Sequence, residues 1–266
     1  MKTYSQVFSE LDRAALIPFF VVGDPDFDTS LAIVKAAIDA GADILELGIA
    51  FSDPIADGPT IQKADIRAMN SGIDVPKALE FIRQVKAHKD IPIGLLMYYN
   101  LVYQYGIEKF FADFHAAGVN SVLVADLSID DADEIYSAAT TGLDTVFMVT
   151  PVTPVDRMKA IAARTTGFIY TVSVLGVTGS RSELSNVVGE MVEQLKKLTD
   201  VPVCVGFGVS TPEHAASIAN AGADGIIIGS KIVGLIEQNL GNKEKLLSEL
   251  SAFITEVKNA IPLAQS

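Results

Sequence analysis

The stretch that decides the fold is DAGADILELGI, residues 39–49. A helix-like run ends in Asp-Ala, a glycine follows, then a small residue and an acid, then a short β-rich run. The same phrase returns as AAGVNSVLVAD (116–126), TTGLDTVFMV (140–149), TTGFIYTVSV (165–174) and NAGADGIIIG (220–229). A glycine just past a helix end suits the left-handed conformation that closes a helix. The apolar runs after it suit strands buried on both faces.

Three more strands are expected at LIPFFVV (16–22), IPIGLLM (91–97) and VPVCVGF (201–207), giving eight. Helical patterns are expected over 28–40, 60–70, 76–88, 107–117, 129–139, 155–164, 186–198 and 211–221, with a last helix near 243–260. A short extra helix is expected over 3–12, before the first strand. Eight alternations of strand and helix without a polar linker predict one domain over residues 1–266, a (β/α)8 TIM barrel with an extra N-terminal helix. An open doubly wound sheet is the alternative, but no GxGxxG follows the first strand.

Composition bounds the partners. Apolar residues make up 49% of the chain, enough for a large core, and acids exceed bases to give a net charge of −13. Such a surface repels nucleic acid and anionic lipid, and an anionic ligand would need a local site built from backbone N–H groups. The single cysteine, Cys204, allows no internal disulfide and suits a reducing compartment. With no leader pattern and no long apolar run, the expectation is a soluble, cytoplasmic protein.

In this fold, sites lie where the strands end. Alternation along the second strand puts Ile44, Glu46 and Gly48 on one face and Leu45, Leu47 and Ile49 on the other. The bulkier set suits the helical layer, so Glu46 is expected to point into the barrel, with open space above it at Gly48. Burial there would raise its pKa, as a general acid requires. A Glu paired with a buried cation is the plainer explanation, but none of the eight strands carries Arg or Lys. Asp57, in IADGPT, reads on residue type as a turn or helix-capping acid. Its place on the loop after Glu46 also makes it a second carboxylate able to hold a different protonation state. Asp53 reads as a turn or an exposed contact.

Glycines mark the ends of the last three strands: GVTGS (176–180), GFG (206–208) and GS (229–230), the last opening the short helix SKIVGLI. Together they suit an anion site of backbone N–H groups, although each alone also serves as a tight turn. No metal-ligand pattern is present, and His88, His115 and His214 all fall in expected helices. No lysine stands at a strand end as a Schiff base would need, and Lys231 is expected on a helix face. Phe19, Leu96, Tyr98, Leu123, Ala125 and Tyr170 cluster near strand ends and read as core or as the flat apolar wall of a pocket.

These residues carry a family resemblance over nearly the whole chain. LELGIAFSDPIADGPTIQ, GFIYTVSVLGVTGSR, VGFGVSTPE, GIIIGSKIV and IPFFVVGDPD resemble motifs of the tryptophan synthase alpha subunit. The resemblance implies retro-aldol cleavage of indole-3-glycerol phosphate to indole and glyceraldehyde 3-phosphate, without a cofactor of this chain's own. It implies that Glu46 is the acid–base at indole C3, that Asp57 stabilises charge at the indole N–H, and that Tyr170 lies by the reacting end. It further implies that Thr178 closes a loop onto Asp57, and that Gly179, Phe207, Gly208, Gly229 and Ser230 contact the phosphate. Phe19, Leu96, Tyr98, Leu123 and Ala125 match positions around the indole. The partner implied is a beta subunit carrying pyridoxal phosphate, in an alpha2-beta2 heterotetramer, met by Asp53, Pro54 and Asn100 within a loop over 99–105. Ala50 and Ser128 stand where the family carries Pro, and each is expected to loosen its loop. A stand-alone lyase and a non-catalytic activating subunit are the alternatives within the family, and a phosphosugar isomerase is a more distant one.

Overall fold

The computed structural model describes residues 1–133, 135, 142–172, 181–206 and 208–263, with only the backbone of 181–186. Its strands are β1 (Ala15–Val21), β2 (Leu45–Gly48), β3 (Ile93–Met97), β4 (Ser121–Val124), β5 (Asp144–Thr145), β6 (Phe147–Val149), β7 (Ile169–Val172), β8 (Val203–Gly206) and β9 (Gly225–Ile228). All pair in parallel, in the order β5-β4-β3-β2-β1-β9-β8-β7-β6. The two ends of that order, β5 and β6, are parts of one extended run interrupted only at Val146, whose N–H still reaches Val122 O at 3.3 Å. The sheet therefore closes on itself through a single strand position, and the eight expected strands form a TIM barrel.

The helices that cover it are α1 (Tyr4–Glu10), α2 (Phe27–Asp39), α3 (Pro59–Asn70), α4 (Val75–His88), α5 (Tyr99–Tyr105), α6 (Ile107–Ala117), α7 (Val155–Arg164), α8 (Arg181–Lys196), α9 (Pro212–Asn220), α10 (Ser230–Gln238) and α11 (Lys243–Ala260). Two expectations need correction. Residues 99–105 are not a loop but α5, which ends at Gly106 with φ +94. The helix expected from 186 begins at Arg181, so 181–186 is helix as well. Of the span 129–139, the short 3-10 turn Ile129–Asp131 is seen, and 134 and 136–139 lie outside the described residues. Among the described residues no helix is long and apolar enough to cross a membrane.

The repeated Gly-x-Asp/Asn phrase has a concrete function. Its side chain reaches back to the first N–H groups of the preceding strand: Asp43 Oδ2 accepts from Leu16 N at 2.8 Å, Asn120 Oδ1 from Ile93 N at 3.0 Å, and Asp224 Oδ2 from Val203 N at 2.8 Å. Each bond satisfies a donor at the start of a strand and ties neighbouring strands in register. The phrase's glycines at 41, 118, 142 and 222 take positive φ, as expected. Gly167 does not: it is small because Asp144 Cβ and Val146 Cγ2 would lie 3.1 and 3.3 Å from any Cβ there.

The N-terminal helix plugs the barrel floor. Thr3 and Gln6 form a capping box that starts it. Tyr4 then enters the interior, where its hydroxyl bonds Ser121 Oγ at 2.7 Å. Gly94 must be glycine because the Tyr4 and Ser121 oxygens would lie 2.9 and 3.0 Å from its Cβ. At the opposite rim, α3 is tied to the loop after β1. Arg67 donates Nε to Asp24 Oδ1 at 2.6 Å and Nη2 to Oδ2 at 2.9 Å, and Asp24 is fully buried. Removing the guanidinium would leave that carboxylate buried and unpaired. Arg67→Met is expected to cost about 3–5 kcal/mol of unfolding free energy, read from denaturant curves at pH 7; a loss within experimental scatter would refute the clamp.

Candidate active site

Glu46 sits in the middle of β2, level with Phe19 on β1 and Gly94 on β3. It is 2% exposed, and its Oε2 has no hydrogen-bond partner. Burial alone pushes its pKa up to about 8, so the carboxyl is neutral at pH 7. The open space expected above it at Gly48 is taken by the Phe19 ring, whose Cζ would lie 2.8 Å from a Cβ. The same ring comes within 3.3 Å of a Cβ at Gly229, so Phe19 spans the mouth from β2 to the end of β9.

Asp57 lies half-buried on the loop between β2 and α3. It does not cap the helix: the N-cap is Gly58, with no side-chain bond, and Pro59 is the first helical residue. The Asp57 carboxylate accepts from Tyr98 Oη at 2.7 Å, and that same oxygen accepts from Ala56 N at 3.0 Å. Burial raises the Asp57 pKa and the Tyr98 bond lowers it, while the Tyr98 phenol is pushed up by burial and by its bond to Asp57. Tyr98 is therefore more than the apolar wall expected of it. Stacked on Phe51 at 5.1 Å, it fixes the loop and orients its carboxylate.

Tyr170 joins the two acids. It is buried on β7, its ring fills the space a side chain at Gly206 would need, and the charges of both Glu46 and Asp57 act on its phenol. Leu96 and Leu123 stand level on β3 and β4, and Ala125 follows β4. At the other side of the mouth, Gly229 caps α10 without a side-chain bond, and the helix begins at Ser230, so its first N–H groups face outward from the rim. Gly208 needs its φ of +77, and the space where a side chain would stand is open. Lys231 lies 5.7 Å over the Phe253 ring, on the helix face as expected. Thr178, Gly179 and Phe207 lie outside the described residues.

Asp53 is exposed and Pro54 half-buried on the loop after β2, and Asn100 is exposed on α5. Beside them Ile55 stands 83% exposed. Ser128 does not loosen its loop: it caps the 129–131 turn and accepts from Arg157 Nη2 at 2.9 Å. Ala50 is buried in the main core. One acid escaped the reading of the sequence. Asp65 is buried on α3 behind Asp57, and its signal was its place among Ile61, Ala64 and Ala68, the buried stripe of that helix. Among the described residues no three His, Cys, Asp or Glu side chains converge as a metal site needs.

The fold is that of a TIM-barrel enzyme, and it holds two acids in different states, one buried without a partner on its Oε2 and one bonded by a phenol. The profile of the family "Tryptophan synthase alpha chain" matches residues 6–262. Curated relatives of that name include one from Methanoregula boonei, 43% identical over 98% of each chain, and one from Methanothermobacter thermautotrophicus, 44% identical over 97% of this chain and 96% of that one. Among solved structures, a chain of Mycobacterium tuberculosis tryptophan synthase superposes with a TM-score of 0.88 at 34% identity, covering 97% of each chain. A chain from the tryptophan synthase a2b2 complex of Pyrococcus furiosus superposes with a TM-score of 0.86 at 38% identity, over 93% of this chain and 98% of that one. The chain belongs to the tryptophan synthase alpha chain family.

The neutral state of Glu46 has a stability consequence. Its ordinary value of 4.5 holds in the unfolded chain, whereas the folded chain keeps the proton to about pH 8. The folded state thus binds the extra proton between those limits, and stability falls as pH rises through that window. In Glu46→Gln this component disappears. The variant's advantage over the parent is expected to grow by roughly 3–5 kcal/mol from pH 5 to pH 9, measured by urea unfolding at each pH. Parallel curves would refute the buried, unpartnered state of Glu46.

Proposed function

We propose that the chain cleaves indole-3-glycerol phosphate to indole and glyceraldehyde 3-phosphate, the alpha reaction of L-tryptophan biosynthesis, and that Glu46 and Asp57 carry it. The observation that supports this most directly is the pair of differently held acids: Glu46, buried mid-strand with Oε2 unpartnered, and Asp57, whose carboxylate is held by Tyr98. Breaking the bond between indole C3 and the glycerol chain requires a proton on C3 and removal of the proton from the adjacent side-chain hydroxyl. Glu46 delivers its proton to C3. The resulting carboxylate takes the hydroxyl proton as the C–C bond breaks and the aldehyde forms, so the acid ends as it began. Protonation at C3 puts positive charge on the ring nitrogen, and the Asp57 carboxylate accepts the indole N–H at that moment. Tyr98 holds Asp57 in place, and Phe19, Leu96, Leu123 and Ala125 enclose the flat ring.

The phosphate goes to the rim formed by Gly208, Gly229 and Ser230 at the N-terminus of α10; the family resemblance adds Gly179 and Phe207 as phosphate contacts and Thr178 as the residue that closes onto Asp57. Backbone N–H groups and the positive end of the helix dipole suit a dianion on a chain whose net charge of −13 opposes one. The partner is a tryptophan synthase beta subunit in an alpha2-beta2 assembly, the arrangement named for the Pyrococcus furiosus relative. Asp53, Pro54, Asn100 and the protruding Ile55 form the contact on this side. The compartment is the cytoplasm, consistent with a lone, buried cysteine. A purely activating, non-catalytic subunit would have no need of a buried acid facing the mouth.

Indole release by the purified chain, with and without beta subunit, tests the function. The parent is expected to release indole and to be accelerated by beta subunit. Glu46→Gln is expected to lose at least about 10²-fold in kcat, the scale of general acid–base catalysis, while still binding substrate. Parental turnover by that variant would remove Glu46 from the mechanism.

A further inference from the structure

Asp65 occupies a position where the pattern of α3 calls for an apolar residue. Ile61, Ala64, Asp65 and Ala68 are its buried stripe, at i, i+3, i+4 and i+7. The side chain is 5% exposed, and Oδ2 has no hydrogen-bond partner. It lies two helical turns from Asp57, on the helix that the Asp57 loop opens. Tyr170 on β7 feels the charge of Asp57. Asp57 and Asp24 act on Asp65 directly; Tyr98 feels both Asp57 and Asp65. Arg67 is engaged bidentately by Asp24, and Glu237 on α10 bonds Lys63 at 2.9 Å and lies 4.0 Å from Arg67. Arg67 is thus committed to Asp24, and the charges that act on Asp65 are those of Asp57 and Asp24.

We infer that Asp65 is a positioning residue for the cleavage site, a neutral acid in the wall behind Asp57 whose protonated state lets Asp57 alone carry charge against Tyr98. This rests on the reading of Asp57 given above. Burial first, then the charges of Asp57 and Asp24, push the Asp65 carboxyl up to about 8. Two carboxylates cannot share such a site without one taking a proton, and the one with a hydrogen-bond donor is the one that stays ionised. Asp57 has Tyr98, whereas Asp65 Oδ2 has no donor among the described residues. Once Asp65 ionises, its charge faces Asp57 directly. The half-buried Asp57 is the one free to move, and leaving Tyr98 for water takes it from the place where the indole N–H is accepted.

The test separates Asp65 from Glu46, which titrates in the same range. Substrate affinity is measured by calorimetry from pH 7 to 9.5 in Glu46→Gln, where no turnover consumes the ligand and Glu46 no longer titrates. The phosphate of indole-3-glycerol phosphate is already a dianion there, with its second ionisation near pH ~6. Affinity in E46Q is expected to weaken about fivefold or more through pH 8. The same measurement on E46Q combined with Asp65→Asn, and separately with Asp65→Ser in case the amide folds poorly, is expected to give a flat profile. A profile that keeps its slope in either folded double variant, or is flat in E46Q alone, overturns the inference. The parent assayed in parallel for indole release keeps the two claims apart: no release at any pH would defeat the proposed function itself, whereas release by the parent with a flat affinity profile in E46Q would defeat only the role of Asp65.

Discussion

Everything at the mouth of this barrel depends on one carboxyl taken out of water without compensation. Glu46 lies on a strand whose neighbours at the same level are Phe19 and Gly94, and none of them offers a charge or a hydrogen bond. A buried acid can respond by ionising with a partner or by keeping its proton. Glu46 has no partner, so it keeps the proton. The small residues around it belong to the same constraint: Gly48 makes room for Phe19, Gly206 for Tyr170 and Gly94 for the Tyr4–Ser121 pair. The interior is filled by aromatic rings arranged around the acid, and the glycines are where those rings need space.

The barrel was legible because its signals are local and repeated. The helix-ending glycine followed by Asp or Asn recurs at the starts of strands, and the bonds from Asp43, Asn120 and Asp224 to the preceding strand explain why that residue type is there. Glu46 was legible because period-two alternation assigns a strand residue to one face or the other. What escaped was cooperation between segments distant in sequence. Tyr98 reads as one more aromatic near a strand end until its hydroxyl is found between Ala56 and Asp57, 41 positions from the latter. Ser128 was expected to loosen its loop, because nothing local announces the Arg157 side chain that bonds it. The helix α5 was taken for a loop because its seven residues are too few to show a period. Asp65 was visible in the helical stripe but reads as an ordinary surface acid unless the stripe is drawn.

The buried and half-buried acids of this chain sort by what each can find nearby, and the sorting accounts for the division of labour at the mouth. Asp24 finds the Arg67 guanidinium and becomes a clamp between the loop after β1 and α3. Asp43 finds Arg13, at 2.8 and 2.9 Å, together with the Leu16 N–H, and becomes a strand tie. Asp57 finds a phenol, a weaker donor than a guanidinium, which orients the carboxylate without neutralising it and leaves it able to accept another N–H. Glu46 Oε2 and Asp65 Oδ2 find no partner among the described residues, and burial holds both carboxyls towards their neutral forms. A cation placed beside Glu46 would stabilise the folded chain and remove the proton that C3 of the indole requires. The same substitution beside Asp57 would satisfy the carboxylate that the indole N–H must reach. The site thus needs its carboxyls to be poorly served, each to a different degree, and the two cations of α3 that form ion pairs, Arg67 and Lys63, serve Asp24 and Glu237 instead.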